Sequence, residues 1–262
     1  MLRYIRLFLI QLRASTLQSL QYRADFLLDA VLSLVGPVTA IVPLLVVKEN
    51  ATTLAGWTFH ESLLVIGWFM LLQGILEGAI NPSLASVVEH IRKGTLDFVL
   101  IKPADAQFLV STAKFLPSRA TNVVAAIFLF AYAFQAMGRT PTATGLLQAL
   151  VLLATSTVLL YSLWILTISM AFYVVKVDNL TYLFTSIFDA ARWPSSVFRG
   201  FWGILFTFVI PLALMTSWPA EAMLGRLEPV RLLWGLVGCA LFAFVSRSVW
   251  LLSLRRYTSA SS

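Results

Sequence analysis

Charge is what this sequence has least of. Asp, Glu, Lys and Arg make up 12% of its 262 residues, where a soluble domain carries about 25%. So few ionic groups cannot cover a water-facing surface, and 59% of the residues are hydrophobic, with mean hydropathy +0.86. An integral membrane protein follows. Cysteine is nearly missing: Cys239 alone excludes an intrachain disulfide framework and any multi-cysteine metal site. The only histidines, His60 and His90, lie far apart and exclude the H-E-x-x-H pattern of a metalloprotease. Glu77 and Asp189 are the one carboxylate pair open to an intramembrane aspartyl site, and no flanking signature accompanies them. No Gly-rich phosphate loop with a following Lys is present, so no nucleotide hydrolysis is expected in this chain. Nor does the basic start lead into the apolar core and cleavage site of a signal peptide.

What is present is a series of apolar runs near the roughly 20 residues that a helix needs to cross a bilayer. Spans are expected at Ala30–Val47, Ser62–Ile80, Ala120–Gly138, within Thr140–Val175, and at Leu232–Leu254 with Arg247 snorkelling near its end. A fifth crossing is placed at about 178–195, or alternatively at 200–218, for six in all. The segment 198–225 holds Pro211 in a run too short to span and reads as a re-entrant pair. Pro37 and Pro43 in the first span read as passive kinks. Thirteen of the nineteen Lys and Arg residues fall on one side: Arg3, Arg6, Arg13, Arg23, Arg92, Lys93, Lys102, Lys114, Arg119, Lys176, Arg247, Arg255 and Arg256. That side is expected to be cytoplasmic, with both termini there. The same rule accounts for the net charge of +7 without nucleic acid. Residues 1–25 read as an interfacial helix, with Ile5, Phe8, Leu9 and Leu12 on one face and Arg3, Arg6 and Arg13 on another. Residues 26–262 form the membrane domain.

The loop after the second span is the most patterned stretch. Asn81 is expected to cap a short helix with Pro82 at its first position. Leu84, Val87, Val88 and Ile91 make an apolar stripe, Arg92 and Lys93 close the last turn, and Gly94 fits a left-handed C′ position. A second apolar run, Leu96–Ile101, stops at Pro103. On these residues alone, a helix resting on the bilayer surface and one engaging a soluble partner stand equal. Within the second span Glu77 sits inside Gly74-x-x-x-Gly78, a spacing that permits close helix approach. It reads either as an anion lining a pathway for cationic cargo or, the favoured reading, as a structural group bonded to the loop, with Gln73 and Asn81 on its edge.

"IRKGTLDFVLIKP" resembles the I-R-x-G-x-L-D-x-x-L-x-[KR]-P signature of ABC-2-type permeases of the small six-span half-permease kind, through Ile91, Arg92, Gly94, Leu96, Asp97, Leu100, Lys102 and Pro103. "PLALMTSWPAEAMLG" is similar to that family's second motif through Pro211, Ala213, Leu214, Pro219, Ala220, Leu224 and Gly225, with Trp218 as a departure. The resemblance implies an all-α fold of the type V ABC exporter kind, with six transmembrane helices. It implies a partner half, a second six-span permease in a heterodimer or, alternatively, a homodimer. It also implies a separate cytoplasmic ATPase dimer that holds ATP and Mg; no cofactor is expected in this chain. Residues 82–103 would be the coupling segment, with Glu89, Ile91, Arg92, Lys93, Gly94, Asp97, Lys102 and Pro103 at the ATPase and His90 nearby. Glu77, Pro211 and Pro219 are pathway or gate candidates, and the re-entrant pair would lie near an outer gate. A non-transporting scaffold is the alternative function.

Overall fold

The computed structural model describes residues 2–50, 53–173 and 178–257. Among them every regular element is helical, and the sole strand-like pairing is an isolated bridge between Leu54 and Trp57. Helix α1 (Leu2–Gln21) is followed by α2 (Arg23–Leu32) and α3 (Val35–Asn50). Then α4 (Phe59–Ile75) runs through a π turn at Leu76–Ile80 directly into α5 (Asn81–Arg92). Two short helices, α6 (Asp97–Leu100) and α7 (Ala106–Ser111), lead to α8 (Ala120–Met137) and α9 (Ala143–Ser169). The remainder comprises α10 (Asp178–Phe188), α11 (Phe201–Ile204), α12 (Trp218–Met223) and α13 (Pro229–Leu254).

Four helical stretches are long and apolar enough to cross a membrane: Phe59–Arg92, Pro117–Met137, Ala143–Phe172 and Pro229–Leu254. These make the protein a multi-pass membrane protein, and they correspond to the second, third, fourth and last expected spans. The other two expected spans differ. Ala30–Val47 is divided at Ser33–Leu34, where the Ser33 hydroxyl donates to the Ala30 carbonyl and bonds Thr121 at 2.8 Å. That polar knot ties the break to the start of α8. Pro43 lies inside α3 without interrupting it. The region 178–195 is α-helical only to Phe188, then tightens into a 3₁₀ turn at Asp189–Arg192 and ends before Pro194. The alternative at 200–218 is also interrupted, at Ile210–Pro211. Lys176 and the end of the fourth expected span lie outside the described residues.

The bundle is built around α4 and α9. The glycines of α4 face α8: a Cβ on Gly67 would collide with the Phe130 ring, and one on Gly74 would sit 3.2 Å from both the Arg119 carbonyl and the Asn122 Cβ. Missing side chains let the two backbones approach. On the opposite flank, α9 packs on α13 and α12, and Gly145 lies against the Ala222 carbonyl. Two apolar clusters result. One gathers Trp68, Phe134, Leu152 and Met223 toward the α4 N-terminus; the other gathers Leu76, Leu84, Val87, Trp164 and Trp250 toward α5. Much of α13 faces outward, including Leu233, Trp234, Leu241 and Phe244, as lipid-facing residues do.

Candidate functional site

Length places the end of α5 first. The continuous helix from Phe59 to Arg92 has 34 residues and extends about 51 Å at 1.5 Å per residue. A hydrocarbon core is about 30 Å thick, so the rod is about 20 Å longer than such a core. Glu61 marks the other end. Its carboxylate caps the helix by accepting from the Thr58 N–H at 3.0 Å, in a reciprocal capping box, and it pairs with Arg226. Arg231 pairs with Glu221 at 2.8 Å beside it, holding the start of α13 to α12.

Pro82 does not start a helix. Ile80 and Asn81 both keep right-handed helical angles, and the Asn81 N–H bonds back to the Leu76 carbonyl, closing the π turn. A proline inside a helix removes one N–H and crowds the carbonyl four residues back. Here that carbonyl belongs to Gly78, and it accepts instead from the Leu116 N–H at 2.8 Å. The expected cap at Asn81 is therefore a mid-helix residue, whose Oδ1 takes a bond from the Trp164 indole at 3.4 Å.

The return segment 114–119 is fastened at every step. Ser83 Oγ donates to the Lys114 carbonyl at 2.5 Å and accepts from the Lys114 N–H at 3.1 Å; Ser15 Oγ accepts from the Phe115 N–H. Glu77 pairs with Arg119 at 3.0 Å and accepts from Gln73 at 3.1 Å. Glu77 is thus tied to the loop, although it still lines a cleft of about 480 Å³ with Asn81, Glu89 and Lys114. Asn122, one turn beyond Arg119, is wholly buried, with neither amide atom hydrogen-bonded among the described residues.

The apolar stripe of α5 is not against lipid. Leu84 and Val87 are fully buried and Val88 nearly so, in a core with Val110 of α7 and Trp164 of α9. Burial of this stripe inside the protein removes the surface-helix reading and leaves the opposite face free to meet water. Glu89 and Lys93 pair at 2.5 Å on that exposed face. His90 Nδ1 bonds Thr95 at 2.8 Å, which folds the chain back after Gly94, at φ +65°. Ile91 is half-buried, Arg92, Lys102 and Pro103 are exposed, and Asp97 begins α6. Sequence reasoning read Leu96–Ile101 only as a second apolar run and did not single out Phe98 and Ile101. They are 67% and 77% exposed.

Helix α1 lies along this loop. Arg3 donates to the Pro103 carbonyl at 2.5 Å, Tyr4 accepts from the Asp105 N–H, and Gln11 accepts from Thr112 at 2.6 Å. Arg247 reaches Asp105 at 2.5 Å and Gln107 at 2.6 Å. Tyr161 joins Gln107 and Ser111. Burial pushes the Asp105 carboxyl up, but the bonds from Arg247 and the Phe108 N–H outweigh it and hold the group below its ordinary value. Pro211 and Pro219 are buried. Ser156 donates to the Leu214 carbonyl at 3.2 Å and Thr216 to the Ala191 carbonyl at 2.8 Å, seating this segment among α9 and the 189–192 turn. The structure therefore brings Glu89 to Pro103 together at one end, puts Glu77 a short way along the same rod, and keeps Pro211 and Pro219 apart from both.

Among the described residues no group of three or more His, Cys, Asp or Glu side chains is placed to hold a metal ion. The fold is a polytopic helical bundle in which the α4–α5 rod is longer than a bilayer core requires. The family model described as ABC-2 family transporter protein matches residues 34–261, and the chain belongs to that family. It is an ABC-2-type permease; α1 and α2 lie before the matched region. No curated protein and no solved structure is matched by the chain.

Proposed function

We propose that the chain is one half of an export pathway, paired with a second permease of similar build and driven by a cytoplasmic ATPase dimer that binds ATP and Mg. Both termini and the 82–103 segment lie on the ATPase side. The segments α2–α3 and 178–223 supply the remaining two crossings, with 198–225 re-entering from the far side near an outer gate. The observation that carries this reading is the exposed pair Phe98 and Ile101, in a segment that also exposes Arg92, Lys93 and Lys102, after a helix long and apolar enough to cross a bilayer. Large apolar side chains held out into water on a fixed scaffold mark a protein-docking surface. Glu89, Ile91, Gly94 and Asp97 shape the same end, and Pro103 ties it to α1.

Energy enters as a difference in ATPase affinity between two permease conformations, since a partner shifts an equilibrium only by binding its two states unequally. The rod from Arg92 to Phe59 carries the displacement across. The test is co-expression with the ATPase, followed by co-purification and vanadate-sensitive ATP hydrolysis. Phe98→Asp with Ile101→Asp is expected to abolish both while leaving the permease melting temperature unchanged. Intact assembly and turnover in that variant would overturn the assigned contact.

A further inference from the structure

Two neighbouring cavities lie under the N-terminal helix, and they differ in character. One, of about 200 Å³, lies between α1, α2 and the return segment, and is lined by Gln18, Ser19, Asp25, Asp29 and Lys114. The other, of about 300 Å³, opens beside the α4–α8 seam, where Leu12, Ile75, Ala120 and Val123 form apolar walls. Phe115 and Leu116 line both, so the polar space and the apolar one adjoin at those two residues. A ligand filling both is an amphiphile.

The charges fix its head. Asp25 and Asp29 stand one turn apart on α2, and neither has an ion-pair partner among the described residues. Like charges at this spacing repel by a few tenths of a kcal/mol, and a shared cation removes the penalty. Lys114 lines the same space without reaching either carboxylate, so its ammonium remains available to an anion. Two carboxylates on one side and an ammonium with the Gln18 amide on the other complement a head that carries both an amine and a phosphate. A quaternary amine has no N–H to donate to carboxylates, and a purely anionic head would face Asp25 and Asp29 unfavourably.

We propose that this bipartite cavity binds a membrane phospholipid with a primary-amine headgroup of the phosphoethanolamine kind, the amine at Asp25 and Asp29, the phosphate at Lys114, and an acyl chain beside Ala120 and Val123. The site holds whether or not the chain couples to an ATPase, because it uses none of the docking residues.

Native mass spectrometry of the permease from nanodiscs of defined lipid tests it. Phosphatidylethanolamine is expected to be retained over phosphatidylcholine of the same chains by about fivefold or more, the scale of one charge-assisted hydrogen bond. Asp25→Asn with Asp29→Asn, both at exposed positions, is expected to erase that preference without altering the melting temperature. Ala120→Phe is expected to lower retention of every lipid; should it not fold, the asparagine pair decides alone. Equal retention of the two lipids, preference for phosphatidylglycerol, or an unchanged preference in the asparagine pair would overturn the proposal.

Discussion

Three π turns of this protein stand just ahead of a proline, Leu76–Ile80, Leu205–Val209 and Ala213–Ser217 before Pro219, and the chain passes through the first two in opposite ways. In the first, Leu76–Ile80 precedes Pro82 and the helix continues to Arg92. In the second, Leu205–Val209 precedes Pro211, and Ile210 leaves helical geometry at φ −124°, ψ 85°. The second outcome is the ordinary one, because a residue before proline is pushed toward extended conformations. The first has a special neighbour. Gly78, four residues before Pro82, has no side chain to hold the return segment away, and its displaced carbonyl meets the Leu116 N–H. At Pro82, then, another part of the chain supplies the donor that the proline removes. That is how a membrane span and its water-exposed extension remain one rod.

The sharpest way to break the contrast is to fill Gly78. A Cβ there would lie 3.3 Å from the Arg119 Cβ and 3.5 Å from the Leu116 carbonyl, so Gly78→Leu forces the return segment off the helix. Overpacking of this kind costs about 1–3 kcal/mol, and loss of the Leu116 bond adds about 1 kcal/mol. The expected result is a large drop in melting temperature in detergent. Gly238→Leu, with nothing within 4 Å of the added Cβ, is the control and is expected to be nearly silent. Next in size is Arg119→Ala, which strands Glu77. Both side chains of that pair are about a quarter exposed, so the cost falls between surface and buried cases, about 1–3 kcal/mol. Glu77→Gln with Arg119→Met is expected to recover most of it in the same melting assay.

Why so much of this was legible, and where legibility stopped, can be traced to particular residues. Hydropathy over Ser62–Ile80, the Leu84–Ile91 stripe and the Gly94 stop are local patterns, and each appears where periodicity put it. The Gly74-x-x-x-Gly78 spacing likewise announced a close helix contact. Asn81-Pro82 misled, because the start signal is valid for an isolated helix and the Leu116 donor is remote in sequence. The division of the first expected span rests on a Ser33–Thr121 bond across 88 positions, which no local window contains. Thr58-x-x-Glu61 was a readable capping box that sequence reasoning passed over, while its ion partner Arg226 lies 165 positions away. Exposure of Phe98 and Ile101 depends on where α6 sits after the Gly94 turn, and composition alone assigns apolar residues to the interior.

The contrast also has a pH dependence, smaller than the mutational effects. The loop that rescues the first break begins at Asp105, whose bonds to Arg247 fasten it to α13. The Asp105 carboxyl lies below its ordinary value of 3.8 in the folded protein. A depressed carboxyl contributes stability that is complete above its unfolded value and is lost as pH falls through the folded one. The contribution should therefore be constant from pH 7 to about 4.5 and disappear below that. The group is partly exposed, so screening limits it to under about 1 kcal/mol. Melting curves of the protein and of Asp105→Asn should converge at low pH; parallel curves down to acid unfolding would detach Asp105 from the argument.

Smallest in energy and most direct in meaning is Pro82→Ala. Alanine restores an N–H that can bond the Gly78 carbonyl, in competition with Leu116, and removes the ring that required the π turn. Helix stability is expected to change by less than about 1 kcal/mol, since one backbone bond replaces another. The Leu116 amide should exchange with deuterium faster, while amides of α5 are unchanged or slower. Pro211→Ala should leave Leu116 untouched and slow exchange near Ile210 if the extended residue returns to the helix. Should Leu116 stay fully protected in Pro82→Ala, the return segment would be held by Ser83 and Ser15 alone. The continuity of the rod would then owe nothing to the exchange of donors at Gly78.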